Sequence, residues 1–273
     1  MYKAMMLGGL WLSVVSAAAG APAEPFATLA TAPVVQRLAT QEATQGVASD
    51  GAYLYAVGNS EIGKYRRSDG QRVAHWQGEA QRFPHLNSCT IVEAELVCAA
   101  SNYPAVPQLS RVEVFDRDSL EHKRTVDLGA QPGSLTVMDR HDGKWWAVFA
   151  NYDSKGGAPG RDHRQTLLVR FDNAFQPEAR WSFPPAVLER FAPRSCSGAS
   201  WGADGRLYVS GHDRPEIYVM TVPESGGEMV LQAIVPVTTG GQAIDWDPQA
   251  PELLWSIART GRAVVAHRIA MPQ

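Results

Sequence analysis

The sequence has little of the patterning that marks helical, nucleic-acid-binding or membrane-spanning proteins. Apolar residues rarely recur at the three- and four-residue spacing of helices, which excludes helical bundles and barrels that alternate strands with helices. No block of lysine and arginine occurs and the net charge is −3, so nucleic acid and anionic membranes are poor partners. Hydrophobic residues still make up 45% of the 273 positions, enough to bury a core. An all-β domain fits these features.

A secretory signal peptide is predicted at residues 1–23. Lys3 is the only charge before Glu24, residues 5–15 form an almost uninterrupted apolar run, and small residues follow it. This is the three-part pattern of a cleaved leader. The alternative, a transmembrane anchor, would need a longer run. We therefore expect a periplasmic or secreted protein, free of the membrane after cleavage, with a single domain at residues 24–273.

Two of the three cysteines are placed to form a disulfide. Cys89 and Cys98 flank an apolar hairpin, and a two-residue turn at Glu93 and Ala94 would set them directly opposite each other. Opposed residues of antiparallel strands lie within disulfide reach, and an exported protein meets oxidising conditions. Two small buried thiols are the alternative. Cys196 is left without a partner.

The chain contains groups of strands with alternating apolar residues, and successive groups begin about 45 residues apart. Asp-Gly and Gly-Gly turns separate strands within the groups. The predicted strands are 46–49, 52–58, 61–67 and 71–76; 87–92, 95–101, 111–116 and 122–128; 133–139, 144–151, 165–172 and 178–183; 197–201, 206–211, 216–222 and 229–235; and 242–246, 252–258 and 263–269. The fifth group lacks a fourth strand, and an orphan strand at 32–40 precedes the first group. One helix is predicted at 184–191, because proline suits a first helical turn.

These groups predict a five-bladed β-propeller with four-stranded antiparallel blades. A propeller commonly closes by letting an N-terminal strand complete its last blade, which removes an exposed sheet edge. The orphan strand at 32–40 supplies the strand that the fifth blade lacks. A sandwich would not need such equal spacing. Aromatic side chains along the strands are expected to pack between the blades.

One end of the propeller channel is predicted to carry a ligand site. Each first strand starts at the end where the loop between the second and third strands lies, so polar residues from both places converge. We name this end the histidine mouth, because it receives His85, His163 and His212. The predicted substrate-binding residues there are Gln45, Asn59, Asn87, Asn102, Tyr103, Asn151, Ser197 and Gln242. The opposite end receives short Asp-Gly turns and His141, so the site is expected at the histidine mouth. The alternative is ordinary polar loops around ordered water.

Histidines on consecutive blades indicate a divalent metal. The predicted ligands are His85, His163 and His212, together with Asp153 and Asp213. Neutral imidazoles bind zinc and similar ions, whereas carboxylates and loop carbonyls suit calcium. Zinc, manganese and calcium are therefore the candidates. The alternative is that each histidine is a hydrogen-bonded loop residue.

Catalytic roles are predicted for His212, His163, Tyr152 and Arg259. Imidazole titrates near neutral pH and suits a general acid or base. A tyrosine can exchange a proton, and an arginine can clamp a substrate carboxylate. The segment SGASWG at 197–202 is a strand start and not the strained elbow of serine hydrolases.

Several phrases resemble those of a bacterial family of exported propeller proteins. They are GSLT at 133–136, DRHDGKWW at 139–146, FANYD at 149–153, SWGADG at 200–205 and VSGHD at 209–213. That family carries cycloisomerase and quinoprotein-like labels, which imply no residue roles here. The predicted blade count is also similar to that of five-bladed propellers such as glutamine cyclotransferases. A quinone cofactor is disfavoured, because the chain is too short for an eight-bladed dehydrogenase.

We therefore expect an exported, monomeric propeller with lyase, isomerase or hydrolase activity on a small polar or carbohydrate-derived substrate, with or without a divalent metal. The alternative is a non-catalytic propeller that binds a glycan, a peptide or a protein on the same face. A stoichiometric metal ion at the histidine mouth would favour the enzyme.

Overall fold

A computed structural model describes residues 26–270. The predicted signal peptide at 1–23 lies outside the described residues. Within them, no helix is long and apolar enough to cross a membrane. The predicted five-bladed propeller is confirmed, since five separate sheets follow one another around the ring.

The strands and helices occur in the following order. The chain begins with β1 (Ala27–Thr28) and β2 (Val34–Ala39). Blade 1 contains β3 (Gly46–Ser49), β4 (Tyr53–Val57), β5 (Glu61–Arg66) and β6 (Arg72–Gln77). Blade 2 contains β7 (Leu86–Val92), β8 (Glu95–Ser101), β9 (Leu109–Asp116) and β10 (His122–Ala130). Blade 3 contains β11 (Ser134–His141), β12 (Lys144–Ala150), a 3-10 turn (His163–Gln165), β13 (Leu167–Phe171) and β14 (Pro177–Ser182). The helix α1 (Pro185–Phe191) follows, as predicted. Blade 4 contains β15 (Gly198–Trp201), β16 (Leu207–Ser210), β17 (Glu216–Thr221) and β19 (Val230–Pro236), and the short β18 (Gly227–Glu228) between β17 and β19 joins the sheet of blade 3. Blade 5 contains β20 (Asp245–Trp246), β21 (Leu253–Ala258) and β22 (Ala263–Arg268).

The N-terminal strand closes the ring as predicted. β2 pairs antiparallel with β22, from Val34 opposite His267 to Ala39 opposite Ala263. Two further pairings were not predicted: β1 lies parallel to β19, and β18 lies parallel to β14. Each adds a short strand to the outer edge of a blade, which leaves less of that edge open.

The first strand of blade 5 is shorter than predicted. The expected strand starts at 242, whereas β20 starts at Asp245. The preceding residues bond to the neighbouring blade instead, since the Ala243 amide donates to the Gln45 carbonyl at 3.2 Å. Closing the ring therefore takes backbone hydrogen bonds away from the blade's own ladder.

Aromatic side chains fill the spaces between blades, as expected. Trp181, Trp255, Tyr55 and Tyr208 are all fully buried. Trp181 belongs to a cluster formed by blades 3 and 4, where its ring centroid lies 5.1 Å from that of Trp146. Apolar area removed from water is the main stabilising contribution in such interfaces.

The predicted disulfide is present. Cys89 and Cys98 are register partners in β7 and β8, and their Cα atoms lie 4.0 Å apart. The two-residue turn at Glu93 and Ala94 sets this register. Cys196 is a buried free thiol, and burial raises its pKa to about 12. It is therefore a packing residue and not a nucleophile.

Two buried carboxylates stabilise the region where the ring closes. Glu42, between β2 and β3, is fully buried and accepts hydrogen bonds from Tyr65 Oη at 2.7 Å and Arg72 Nη1 at 2.8 Å. Asp247 of blade 5 lies 2.9 Å from the guanidinium of Arg67 in blade 1. Each carboxylate is thus neutralised by an arginine of blade 1, as a buried charge requires.

Replacing Arg72 with methionine should destabilise the fold. The substitution leaves Glu42 buried without its arginine, so we expect the urea midpoint of unfolding to fall. The measurement is urea unfolding followed by tryptophan fluorescence. Arg66→Met is the matched control, because Arg66 pairs with an Asp69 that is 50% exposed, so the midpoint should fall less in this variant. Equal decreases in the two variants would contradict this account of the closure.

Candidate functional site

A cavity of about 730 Å³ opens at the histidine mouth, between blades 4 and 5. Its walls come from the loops that follow β16, β19 and β21, from β2, and from the approach to β3. The lining residues are Arg37, Thr44, His212, Asp213, Thr238, Thr239, Gly240, Gly241, Ala258, Arg259, Thr260 and Arg262. The strand that closes the ring therefore also forms part of the candidate site.

Gly241 lets two of these loops meet. A Cβ atom at this position would lie 2.1 Å from the Gly211 carbonyl oxygen and 3.0 Å from the His212 amide nitrogen. Any other residue would push the loop before β20 away from the loop that carries His212. The position of His212 therefore depends on a glycine in the neighbouring blade.

Asp213, His212 and Arg259 form a hydrogen-bonded line on the cavity wall. His212 Nδ1 lies 2.6 Å from Asp213 Oδ1, and His212 Nε2 lies 3.2 Å from Arg259 Nη1. Because a guanidinium can only donate, Nε2 must accept, and the ring proton is on Nδ1. A carboxylate on Nδ1 orients an imidazole and raises the basicity of its other nitrogen. The arrangement thus suits His212 to take up a proton on Nε2 once Arg259 moves away.

A second line contains Gln45, Asn59 and His85. Asn59 Oδ1 accepts from Gln45 Nε2 and from His85 Nδ1, each at 2.8 Å. Burial, together with the charges of Arg259 and His212, lowers the pKa of His85 to about 4. His85 is therefore neutral at physiological pH. Because Arg259 and His212 act on it, the structure brings all three residues to one side of the mouth.

Two tyrosines connect blades 2 and 3 at the histidine mouth. The ring centroids of Tyr103 and Tyr152 lie 5.2 Å apart, and Tyr103 also contacts His85 at 5.0 Å. Burial raises the pKa of Tyr152, so this phenol keeps its proton and can donate but not act as a base near neutral pH. The long insertion packs on Tyr103, because a Cβ atom on Gly156 would lie 2.3 Å from that ring.

The same insertion brings Asp153, Asp162 and His163 together. One possible ligand atom from each lies within 4.8 Å of the others. In the part of the chain that the structure describes, this is the only such group of three histidine, cysteine or carboxylate side chains. His85 and His212 do not belong to it, so the three predicted histidine ligands do not surround one ion. Asp153 and His163 do come together as predicted.

Hydrogen bonds already hold this acidic group in place. His163 Nδ1 lies 2.6 Å from Asp153 Oδ1. Asp162 caps the 3-10 turn by accepting from the Arg164 amide at 2.9 Å, and it also pairs with the Arg164 side chain. The Arg164 guanidinium and amide lower the pKa of Asp162 to about 2. Both carboxylates can bind a cation, and Arg164 would compete with it for Asp162.

The three histidines of the mouth share one feature. Nδ1 of each faces a side-chain oxygen of a loop residue at 2.6–2.8 Å. Donation from Nδ1 to that oxygen leaves Nε2 without a proton. Each imidazole is therefore held in the form that offers its Nε2 lone pair to a metal, a proton or a ligand donor.

Three of the six predicted substrate-binding amides bond to the backbone instead. Asn87 Nδ2 donates to a blade 3 carbonyl at 2.8 Å, and Asn151 Nδ2 donates to two carbonyls at 2.8 and 3.0 Å. Asn102 donates and accepts within its own loop. Ser197 is partly buried and Gln242 is buried at the start of blade 5. Gln45 and Asn59 belong instead to the hydrogen-bonded line that contains His85.

Sequence reasoning missed a second cavity, which lies at the opposite end of the channel. The turns between first and second strands enclose about 860 Å³ there. Each blade contributes one polar side chain near the end of its first strand: Ser49, Thr90, Asp139, Ser200 and Asp245. We name this end the carboxylate mouth, after Asp139 and Asp245. A polar residue at the equivalent position of every blade was the sequence signal that could have revealed it.

Titration of His85 tests the electrostatics of the histidine mouth. Its imidazole signals should titrate near pH 4 in the wild type. Replacing Arg259 with methionine removes a positive charge, so the pKa of His85 should rise, because a nearby cation disfavours the protonated imidazole. The measurement is a ¹H–¹⁵N correlation spectrum of the histidine side chains as a function of pH.

Arg262→Met is the control for this titration. Arg262 lines the same cavity but is not among the charges that act on His85, so the substitution should leave the midpoint in place. Equal upward shifts in both variants, or no shift in Arg259→Met, would show that Arg259 does not act on His85.

Comparisons with known proteins show the fold and no closer relationship. No protein-family model matches the sequence, and no curated protein is a significant match, so the resemblance to exported bacterial propellers stays a prediction. A luciferin-regenerating enzyme is similar in structure, with a TM-score of 0.51 and 10% identity over 86% of this chain and 93% of that one. The PQQ-bound aldose sugar dehydrogenase of Streptomyces coelicolor has a TM-score of 0.50 and 11% identity over 88% and 81% of the two chains. At such identities the likeness establishes that this chain has the fold of a β-propeller.

Proposed function

We propose that this chain is an exported enzyme that acts on a small, polar or carbohydrate-derived carboxylate at the histidine mouth. The hydrogen-bonded line of Asp213, His212 and Arg259 on the cavity wall supports this proposal most directly. It combines an oriented imidazole with an adjacent arginine, which are the groups that proton transfer next to a carboxylate requires. Lyase and isomerase reactions share that step.

The charge of the cavity supports an anionic substrate. Its lining includes Arg37, Arg259 and Arg262, against Asp213 as the one carboxylate. An arginine binds a carboxylate through two parallel N–H groups and so fixes its orientation as well as its position. Four threonines line the same cavity, and their hydroxyl groups can donate to or accept from the hydroxyls of a sugar. A sugar acid therefore matches both the arginines and the threonines of the lining.

Substrate binding would also prepare the base. Without ligand, Arg259 donates to His212 Nε2 at 3.2 Å. A bound carboxylate attracts the guanidinium more strongly than a neutral imidazole does. Arg259 then turns to the substrate, and the lone pair of His212 Nε2 becomes free to take a proton from the carbon or hydroxyl next to the carboxylate. Asp213 stabilises the imidazolium that forms.

Export agrees with the disulfide between Cys89 and Cys98. Such a bond forms and persists in oxidising compartments and is rare in the cytosol. We propose a periplasmic or secreted monomer that meets its substrate there.

The Asp153, Asp162 and His163 group is the proposed divalent metal site. Two carboxylates and an imidazole form an acceptable ligand set for zinc, manganese or calcium. The group lies on the insertion that packs against Tyr103, at the same mouth as His212. A bound ion there would add a positive charge for an anionic substrate.

Binding of D-glucuronate, with D-glucose as the matched neutral sugar, tests the proposed substrate class. Calorimetry should detect glucuronate and little or no glucose. In Arg259→Met the affinity for glucuronate should fall about 10- to 100-fold, the value of one charge-assisted pair. Arg66→Met, on the outer hairpin of blade 1, should bind as the wild type does. Equal affinity for the two sugars would contradict the anionic substrate.

Incubation of the sugar acid with protein, followed by ¹H NMR, separates catalysis from binding. If glucuronate or a related uronate is converted, His212→Gln should slow the conversion about 10²- to 10⁴-fold, the usual contribution of a general acid or base. Its affinity for the sugar acid should change little. Binding without conversion across a panel of uronates would instead favour the non-catalytic, glycan-binding propeller.

Metal binding is tested by titration with zinc, manganese and calcium chlorides. His163→Ala should abolish one-to-one binding, whereas Asp213→Asn should leave it unchanged. Arg164→Met should strengthen binding about two- to fivefold, because it removes the surface ion pair that competes for Asp162. Stoichiometric binding that survives in His163→Ala would place the ion elsewhere.

A further inference from the structure

The carboxylate mouth holds two buried carboxylates that the proposed chemistry does not use. Asp139 and Asp245 are each 7% exposed. Asp245 accepts from the Ser49 amide at 2.8 Å and from Ser200 Oγ at 3.2 Å, and Asp139 accepts from two backbone amides at 2.7 and 3.2 Å. Burial raises the pKa of both groups, and the charge of Asp139 raises that of Asp245 further. The two carboxylates are neighbours, because Ser200 donates to Asp245 and the amide of the next residue, Trp201, donates to Asp139.

Within residues 26–270, neither of these two carboxylates forms an ion pair with a lysine or an arginine, whereas buried Glu42 and Asp247 each have an arginine partner. The cavity lining as a whole contains six carboxylates, two arginines and one histidine. A buried negative charge without a partner destabilises a protein. The site is thus suited to a cation that comes from outside the chain.

Unused donors in the cavity wall indicate a second property of the ligand. Trp246 is 9% exposed, and its Nε1 has no hydrogen-bond partner among the described residues; the same is true of Trp201 Nε1. Both side chains line the cavity. An indole N–H can only donate, so a ligand that satisfies it must carry an acceptor such as a hydroxyl oxygen. Aromatic walls also favour an organic body over a bare ion.

The spacing argues against a metal ion here. Of the described residues, the one group with three histidine, cysteine or carboxylate ligand atoms within 4.8 Å lies at the histidine mouth. A metal ion at the carboxylate mouth would therefore lack a compact set of charged ligands. The cavity volume of about 860 Å³ instead suits an organic molecule.

We propose that the carboxylate mouth binds a hydroxylated organic ammonium ion of the amino-sugar class. The ammonium group lies between Asp139 and Asp245 and donates to both carboxylates, which supplies the missing positive charge. The hydroxyl oxygens accept from the indole N–H groups of Trp201 and Trp246. This binding site is separate from the proposed catalytic site, because the two lie at opposite ends of the channel.

Calorimetry with D-glucosamine and D-glucose tests this site. The two sugars differ only at carbon 2, where glucosamine carries an ammonium group and glucose carries a hydroxyl. The wild type should bind glucosamine at least about tenfold more tightly than glucose, because only the ammonium brings a positive charge to its hydrogen bonds with the carboxylates. Asp245→Asn keeps the shape and the acceptor oxygen of the side chain but cannot become negative, so it should remove that preference. Asp139→Asn should weaken it in the same direction. Circular dichroism and thermal unfolding establish that both variants are folded.

Arg259→Met is the control at the other end of the channel and should leave glucosamine binding unchanged. The proposal is overturned if glucosamine binds no better than glucose, or if Asp245→Asn and Asp139→Asn, both folded, retain the preference. It is equally overturned if calcium or magnesium chloride binds stoichiometrically at these carboxylates and displaces the sugar. Loss of glucosamine binding in Arg259→Met alone would place the amine at the histidine mouth and overturn it as well.

Discussion

The pairing of the first long strand with the last is the constraint on which the rest of the molecule depends. Once β2 lies against β22, the fifth blade has its fourth strand and the outer edge of β22 is paired. The same closure places Arg37 of β2 beside the loops of blades 4 and 5. The ion pairs of Glu42 with Arg72 and of Asp247 with Arg67 then neutralise the carboxylates that closure buries. A site formed by both ends of the chain exists only in the closed ring.

The closed ring gives the channel two ends of opposite charge, which a net charge of −3 conceals. At the histidine mouth the cavity lining is rich in arginine, and at the carboxylate mouth it is rich in aspartate and glutamate. The carboxylate mouth collects side chains from the ends of the first strands of all five blades, whereas the arginines of the histidine mouth come from β2 and from the loop after β21. Charges from several blades act together on one small volume, where low polarity strengthens their effect. Each end therefore presents a different charge to an approaching molecule.

Blade count, closure, disulfide and most strand limits could be predicted, because they depend on local alternation, turn residues and equal spacing. The meeting of His212 with Arg259 also followed, since loop positions in a propeller are set by register. The hydrogen-bond partners of single side chains at the histidine mouth could not be predicted. Asn87 and Asn151 look like ligand amides in sequence, but unpaired backbone carbonyls nearby take up their donors. The carboxylates that lie near His163 could not be predicted. Their positions depend on the path of a long insertion, and no periodic pattern specifies that path.

The carboxylate mouth was not predicted, for a related reason. It also shows how buried carboxylates with different roles can be distinguished by their partners. An aspartate at the end of a strand resembles a turn residue, and only its surroundings distinguish the roles. Glu42 is buried with an arginine, so its charge is satisfied within the fold. Asp139 and Asp245 are buried with amides, a hydroxyl and each other. Amides partly stabilise a carboxylate but do not cancel its charge, so the ionised pair is costly without a cation, in line with the raised pKa of both groups. A ligand ammonium removes that cost, which makes binding and stability two consequences of one electrostatic imbalance.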